Sequence, residues 1–167
     1  MSAYQDLCDR LARARERARQ RRERFARVFE QVGASIVKQL GIPEDAHEWC
    51  ALELESEPEP GRVPLVDAMG SDEEGAWHVG LRILVRADGD AASTLPLVLD
   101  MRVREQNGRT VLSFSDEEPH HPIDPDRTDE LASVATDAER RLRAWMDDNL
   151  DHVVGAAGRG ERFGQYL

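Results

Sequence analysis

Two adjacent histidines, His120 and His121, stand in the loop "DEEPHHPIDPD" among Asp116, Glu117, Glu118, Asp124 and Asp126. Imidazoles and carboxylates are ligands that a divalent metal accepts. Neighbouring side chains in a loop with three prolines diverge, however, and nothing in the spacing makes them converge on one centre. The expectation is an exposed acidic loop with no metal and no cofactor. His78, Arg82, Arg86, Asp100, Arg102 and Arg104, with Glu53 and Glu55, fall on the polar positions of alternating segments, the pattern of a salt-bridged, solvent-facing sheet. A substrate carboxylate or phosphate is the alternative use of those arginines. No serine sits in a nucleophile elbow, and no glycine loop is built to cradle phosphate. Cys8 and Cys50 lie far apart without an activating neighbour and read as free thiols, one on a helix and one in a core strand. No catalytic constellation emerges, and the chain is not expected to be an enzyme.

The strongest chemical signal is a charge pattern. The formal net charge is −11, yet "RARERARQRRERFAR" at 13–27 belongs to a stretch with nine arginines and two glutamates between residues 10 and 27. Residues 1–40 hold ten Arg and Lys against five Asp and Glu, a net +5, which leaves −16 for the rest. The two parts attract each other.

Read as a helix, steps of four and three from Leu7 give Leu11, Ala14, Ala18, Arg21, Phe25, Val28 and Val32, a coiled-coil-like seam with one charged member. Asp9, Glu16, Glu23 and Glu30 fall on the opposite face, while Arg10, Arg15, Arg17, Arg22 and Arg24 flank the seam. A parallel homodimer would set Arg17 near Arg22 of its partner, a repulsive contact. From Phe25 the apolar set widens to Val28, Phe29, Val32, Ile36, Val37 and Leu40, enough to dock on a sheet. The first half is too narrow for that and reads as an arm. Three occupants suit it: the chain's own acidic surface, such as residues 126–151 with eight acids and four arginines; another protein with an acidic, apolar-grooved surface; or nucleic acid. The acidic remainder and the lack of stacking aromatics in the run before Phe25 weigh against nucleic acid. The expected partner-binding residues are Leu7, Leu11, Arg15, Arg17, Ala18, Arg22 and Arg24, with Phe163 and Tyr166 from the tail.

The elements that position these residues follow from periodicity. No Pro and a single Gly, Gly33, interrupt residues 6–40, which predicts one long helix stopped by "GIP" at 41–43. Five strand-like segments come next. "WCALELES" sets Cys50, Leu52 and Leu54 on one face, "VPLVDAM" is weaker, and "AWHVGLRILVR" alternates Trp77, Val79, Leu81, Ile83 and Val85 with His78, Gly80, Arg82, Leu84 and Arg86. "TLPLVLDMRVRE" and "RTVLSFS" meet at Asn107-Gly108, a type I′ hairpin signal that places Val103 opposite Leu112 and Met101 opposite Phe114. Leu95, Leu97 and Leu99 share that face. Asp124-Pro125 predicts a helix start, with Leu131, Val134, Ala135, Ala138, Leu142, Trp145 and Met146 as its buried stripe to about Val154.

The predicted class is α+β: a long N-terminal helix, an antiparallel meander of about five strands, and a C-terminal helix, with both helices on one sheet face and the other face wet. In shape this order is similar to the small acidic chaperones of bacterial secretion systems, often dimers, which carry a helix in mid-sheet where this chain has "ADGDAAS"; the likeness is one of outline, with no shared motif. The organisation expected is a basic arm at 1–24, one domain at 25–154 and a flexible glycine-rich tail at 155–167. No stretch approaches the ~20 apolar residues of a membrane span, and the amino terminus lacks a signal-peptide layout, which points to a cytoplasmic protein. These features favour a non-catalytic interaction module, a small subunit or adaptor that is able to oligomerise. A nucleic-acid accessory protein and a small-molecule cup between sheet and helices are the alternatives.

Overall fold

The computed structural model describes residues 3–52, 63–86, 94–115, 119–157 and 165–166. Helix α1 (Ala3–Leu40) is followed by strand β1 (His47–Cys50), a helical turn α2 (Leu65–Ala68), and strands β2 (Gly70–Ser71), β3 (Trp77–Arg86), β4 (Thr94–Gln106), β5 (Arg109–Phe114) and β6 (His121–Pro122). Helix α3 (Thr128–Ala157) and a two-residue strand β7 (Gln165–Tyr166) complete the order. The sheet runs β1-β3-β4-β5-β6, with β2 on β3 and β7 on β4. This is the predicted α+β architecture.

The helix α1 ends where the sequence stops it. Gly41 adopts φ 62°, a left-handed conformation that a side chain disfavours, and the Ile42 amide donates to the Val37 carbonyl at 3.0 Å. The helix is continuous through Gly33, whose missing side chain admits Trp49: a Cβ there would lie 2.6 Å from the indole. Phe25, Val28, Phe29, Val32 and Ile36 are fully buried. At about 2 kcal/mol each, their burial fastens the second half of α1 to the sheet.

The β4–β5 hairpin turns at Asn107 (φ 52°) and Gly108 (φ 77°), both left-handed as a type I′ turn requires. Val103 pairs with Leu112 and Met101 with Phe114, in the predicted register. These side chains join Leu97, Leu99, Val79, Leu81 and Ile83 on the face beneath α1 and α3. Helix α3 contributes Leu131, Val134, Ala135, Ala138 and Leu142, with Trp145 and Met146 packed at the margin.

Four expectations are corrected. In β1 it is Trp49, opposite Leu81, that faces the helices, whereas Cys50 lies opposite Gly80 and is buried on the far face. The large indole wins the core side, and Leu54 lies outside the described residues. "VPLVDAM" is no strand, because Pro64 starts a helical turn in which Ala68 N–H bonds back to the Pro64 carbonyl at 3.1 Å and Ala68 and Met69 enter the core. Asp124-Pro125 forms a closed turn, with the Arg127 amide donating to the Asp124 carbonyl at 2.9 Å, and α3 begins three residues after Pro125, at Thr128. Finally, the far sheet face is not simply wet. Cys50, Arg82, Val98, Asp100 and Ser113 are buried there, so β3 and β4 are covered on both sides at their centre. The mid-sheet segment 87–93 lies outside the described residues.

Gly80 marks a close-packed point of that far face. A Cβ on it would stand 2.5 Å from Cys50 Sγ, 2.9 Å from Val98 and 3.1 Å from Leu52. Gly80→Ala is expected to lower stability by about 2 kcal/mol in urea unfolding, and adding Cys50→Ala to recover part of the loss, because the added methyl overpacks a site closed on three sides.

Candidate functional site

Burial along α1 begins at Phe25, apart from Arg22, which is partly covered. From Ala3 to Arg21 every side chain is exposed except the part-covered Asp6 and Asp9. This arm spans about 28 Å along the helix axis. Its apolar seam is continuous with the core-docking face, so Leu7, Leu11, Ala14 and Ala18 continue the line of Phe25 and Val32 beyond the edge of the sheet. Leu7 is 64% exposed, Leu11 53% and Tyr4 75%.

The arginines divide into two groups. Arg22 donates to the Val66 carbonyl, and Arg24 donates to Thr110 Oγ1, pairs with Glu105 at 2.8 Å and lies 5.7 Å over the Phe25 ring. Both therefore clamp the root of the arm to the chain's own domain. Within the arm, Arg10 bridges Asp6 at 2.8 Å, and Arg19 bridges Glu16 at 3.0 Å and Glu23 at 3.8 Å. Hydrogen bonds from Arg19 and then Gln20 hold the Glu16 carboxyl below its ordinary range. Arg13, Arg15, Arg17 and Arg21 have no partner among the described residues.

The arm does not pack along α3 of its own chain. Ser35 Oγ donates to the Leu131 carbonyl at 3.3 Å, and Gln39 reaches Thr136 at 3.3 Å and Glu139 at 2.9 Å. The two helices run in the same direction where they touch. The half of α3 beyond Glu139, which holds three arginines and three aspartates, therefore lies past the C-terminal end of α1, away from the arm. Nor do the described tail residues Gln165 and Tyr166 meet the arm. Gln165 and Tyr166 pair in parallel with Leu97 and Val98 along the edge of β4 that β5 leaves open, about 30 Å along the strand from the hairpin that grips Arg24. Phe163 lies outside the described residues.

The two histidines point apart. His120 lies 3.4 Å from Arg104, and His121 Nε2 lies 3.2 Å from Asp137 Oδ2. Asp137, on the buried side of α3, also accepts from Arg141 Nε at 3.0 Å and from Arg140. Burial pushes its carboxyl up, but the bonds from Arg140, Arg141 and His121 outweigh this and hold it below the ordinary range. Arg141 in turn lies 5.5 Å over the Phe114 ring, and His121 meets that ring edge-on. The group ties β6 to α3. Among the described residues no set of three His, Cys, Asp or Glu side chains is placed to hold a metal ion; Asp116, Glu117 and Glu118 lie outside them.

On the far face Arg82 pairs with Glu48 across β1 and β3, Arg86 with Asp45 at 2.9 Å, and Arg102 with Asp100 at 3.3 Å. Burial raises the Cys50 thiol above its ordinary value, which leaves it an inert packing group. Glu53 and Glu55 lie outside the described residues. Two clefts open on the surface. One of about 400 Å³ sits at the root of the arm between Arg24, Arg109, Thr110, Ile123 and Arg127. The other, of about 350 Å³, lies beside Trp49, Ala34 and Val37.

Sequence reasoning began the seam at Leu7 and missed Tyr4, although the three-residue step before Leu7 points to it. It placed Arg21 in the seam but counted neither Arg13 nor Arg21 among the partner-binding residues, and these differ from Arg22 and Arg24 in what the fold places beside them. Comparisons with protein-family models, curated proteins and solved structures return no match.

Two predictions test this division of roles. Arg22→Ala with Arg24→Ala is expected to lower domain stability by about 1 kcal/mol in urea unfolding, whereas Arg15→Ala with Arg17→Ala leaves it unchanged. Asp137→Asn is expected to cost about 3 kcal/mol by removing the buried carboxylate that Arg140, Arg141 and His121 share. Because the folded carboxyl is held low, its contribution is complete above the unfolded value and is lost as pH falls through the folded one. Wild-type stability measured below about pH 4 therefore falls more steeply than that of Asp137→Asn.

Proposed function

We propose that this protein is a non-catalytic interaction module, a small subunit that joins an assembly by docking its N-terminal arm onto another protein surface. One observation carries the reading: an apolar seam edged by arginines leaves the domain at Arg21 with no partner from the rest of the domain among the described residues. A narrow stripe of Leu and Ala at helical spacing is what a helix-in-groove ligand presents, and flanking arginines favour carboxylates in the groove that receives it. The clamp at Arg22 and Arg24 supports the same reading, since a helix fixed at its root loses less orientational freedom on docking. The partner this chemistry fits has an apolar groove with acidic rims, and it includes another copy of the chain.

Nucleic acid is the second reading, and the four unpartnered arginines favour it. They would line phosphates in a salt-dependent way: affinity resting on four such contacts falls on the order of a hundredfold between about 50 and 200 mM salt. The −16 balance of residues 41–167 opposes it, as does a seam of Leu and Ala that phosphates do not use.

Deleting residues 3–20 is expected to abolish assembly while moving the thermal midpoint of the domain by less than about 3 °C. Capture from nuclease-treated extract, beside calorimetry of the purified chains, measures both. Collapse of the domain on deletion would make the arm part of the core, and loss of assembly on nuclease treatment alone would favour the second reading.

A further inference from the structure

The seam can be read in both directions. Tyr4, Leu7, Leu11, Ala14, Ala18 and Arg21 are spaced three, four, three, four and three, the alternation of positions a and d in a heptad. Reversed against itself about a point between Ala12 and Arg13, the seam pairs Leu7 with the partner's Ala18, Leu11 with the partner's Ala14, and Tyr4 with the partner's Arg21. Each pair sets an a position against a d position, the layering that an antiparallel two-helix coil requires. We infer that the occupant of the arm is the arm of a second copy of this chain, packed antiparallel; the inference rests on the interaction-module reading and names its partner.

Size, charge and exposure each support this pairing. The order Leu, Leu, Ala, Ala reverses to Ala, Ala, Leu, Leu, so every leucine meets an alanine and the two helix axes stay evenly spaced over about 26 Å. In parallel, Leu would face Leu and Ala would face Ala, wedging the pair apart at one end, and Arg21 would face Arg21.

The arm is also a charge dipole. Residues 3–9 hold Asp6 and Asp9 with no Arg or Lys, and residues 13–24 hold seven arginines against Glu16 and Glu23. Asp9 lies on the face opposite the seam and Asp6 is bridged to Arg10, so the charge preference for antiparallel packing comes from the seam itself, where the Tyr4 ring meets the partner's Arg21 in a cation–π contact and Arg21 is kept from facing Arg21. The remaining like-charge contact, Arg10 with the partner's Arg17, is eased because Arg10 is bridged to Asp6.

The large hydrophobic residues that stand exposed among those described are Tyr4, Leu7, Leu11, Val63 and Val66. Three line the arm. Val66 lies at its root, where its carbonyl accepts from Arg22, and this is the level that the partner's tip reaches.

The test is sedimentation equilibrium of the full chain from about 1 to 100 μM, at about 50 and about 500 mM salt. A monomer–dimer equilibrium is expected, as tight or tighter at high salt because the net charge of each arm is positive and screening relieves its repulsion. Leu11→Glu is expected to weaken the dimer by at least about thirtyfold without moving the thermal transition of the domain, since Leu11 is exposed and lies outside the core. Orientation is read by oxidising a mixture of Leu11→Cys and Ala14→Cys chains, each also carrying Cys8→Ser; links are expected between the two kinds of chain. Self-linked Leu11→Cys chains would mean parallel packing and overturn the inference, as would a Leu11→Glu chain that dimerises like wild type. A chain that stays monomeric also overturns it: if deletion of residues 3–20 still abolishes capture of a different protein, the interaction-module reading stands without it, and if deletion changes nothing, both fall.

Discussion

A mismatch of lengths governs the whole molecule. Helix α1 has 38 residues, about 57 Å, while its buried stretch from Phe25 to Ile36 covers about 18 Å. Cα geometry allows no shortening of a continuous helix, and the sequence offers no Pro and no unfilled Gly to break it. The excess must project. It projects at the N-terminal end because the bulky apolar residues, Phe25, Val28, Phe29, Val32 and Ile36, are concentrated at the other end and hold that end to the sheet.

What keeps this projection in a defined direction is the packing at its root. Arg22 and Arg24 bind a carbonyl in α2 and the tip of the β4–β5 hairpin, elements 44 and 86 residues away in the chain. The hairpin can serve as an anchor because its turn is fixed by Asn107 and Gly108 and β5 is buried from Thr110 to Phe114. At the opposite corner, Asp137 gathers Arg140, Arg141 and His121 and fastens β6 to α3. A small core with few aromatics is thereby tied together at its margins by paired charge, an arrangement that holds geometry more than it adds net stability. The result is a rigid base with one long unpaired face.

Candidate chemistry on this base is absorbed by structure. The histidine loop contributes one imidazole to the Asp137 group and the other to the flank of Arg104. The arginines of the far face are engaged with Glu48, Asp45 and Asp100, and the buried thiol of Cys50 packs against Gly80. Among the described residues the arm is the long surface without partners from the rest of the domain, which is why function is sought in association.

Much of this was legible in the residues themselves. Period-two alternation gave β3, β4 and their core face; Asn107-Gly108 gave the hairpin and its register; helical spacing gave the stripes of α1 and α3; and the change from Leu and Ala to Phe and Val at Phe25 marked where the arm leaves the core. These are local properties, set by the geometry of one residue and its near neighbours. Other features came from partners distant in the chain. Trp49 took the core side of β1 from Cys50 because α1 offers it the space over Gly33. The "VPLVDAM" segment curled into a helical turn under the core, Arg22 and Arg24 were drawn to the domain while Arg15 and Arg17 were left outside it, and His121 found Asp137. Sequence alone determined the long helices, the β4–β5 hairpin and the seam, because periodicity and turn chemistry act over a few residues. Only the tertiary structure decided which charges are engaged and which face stays open, because that depends on which surfaces the packed core leaves within reach.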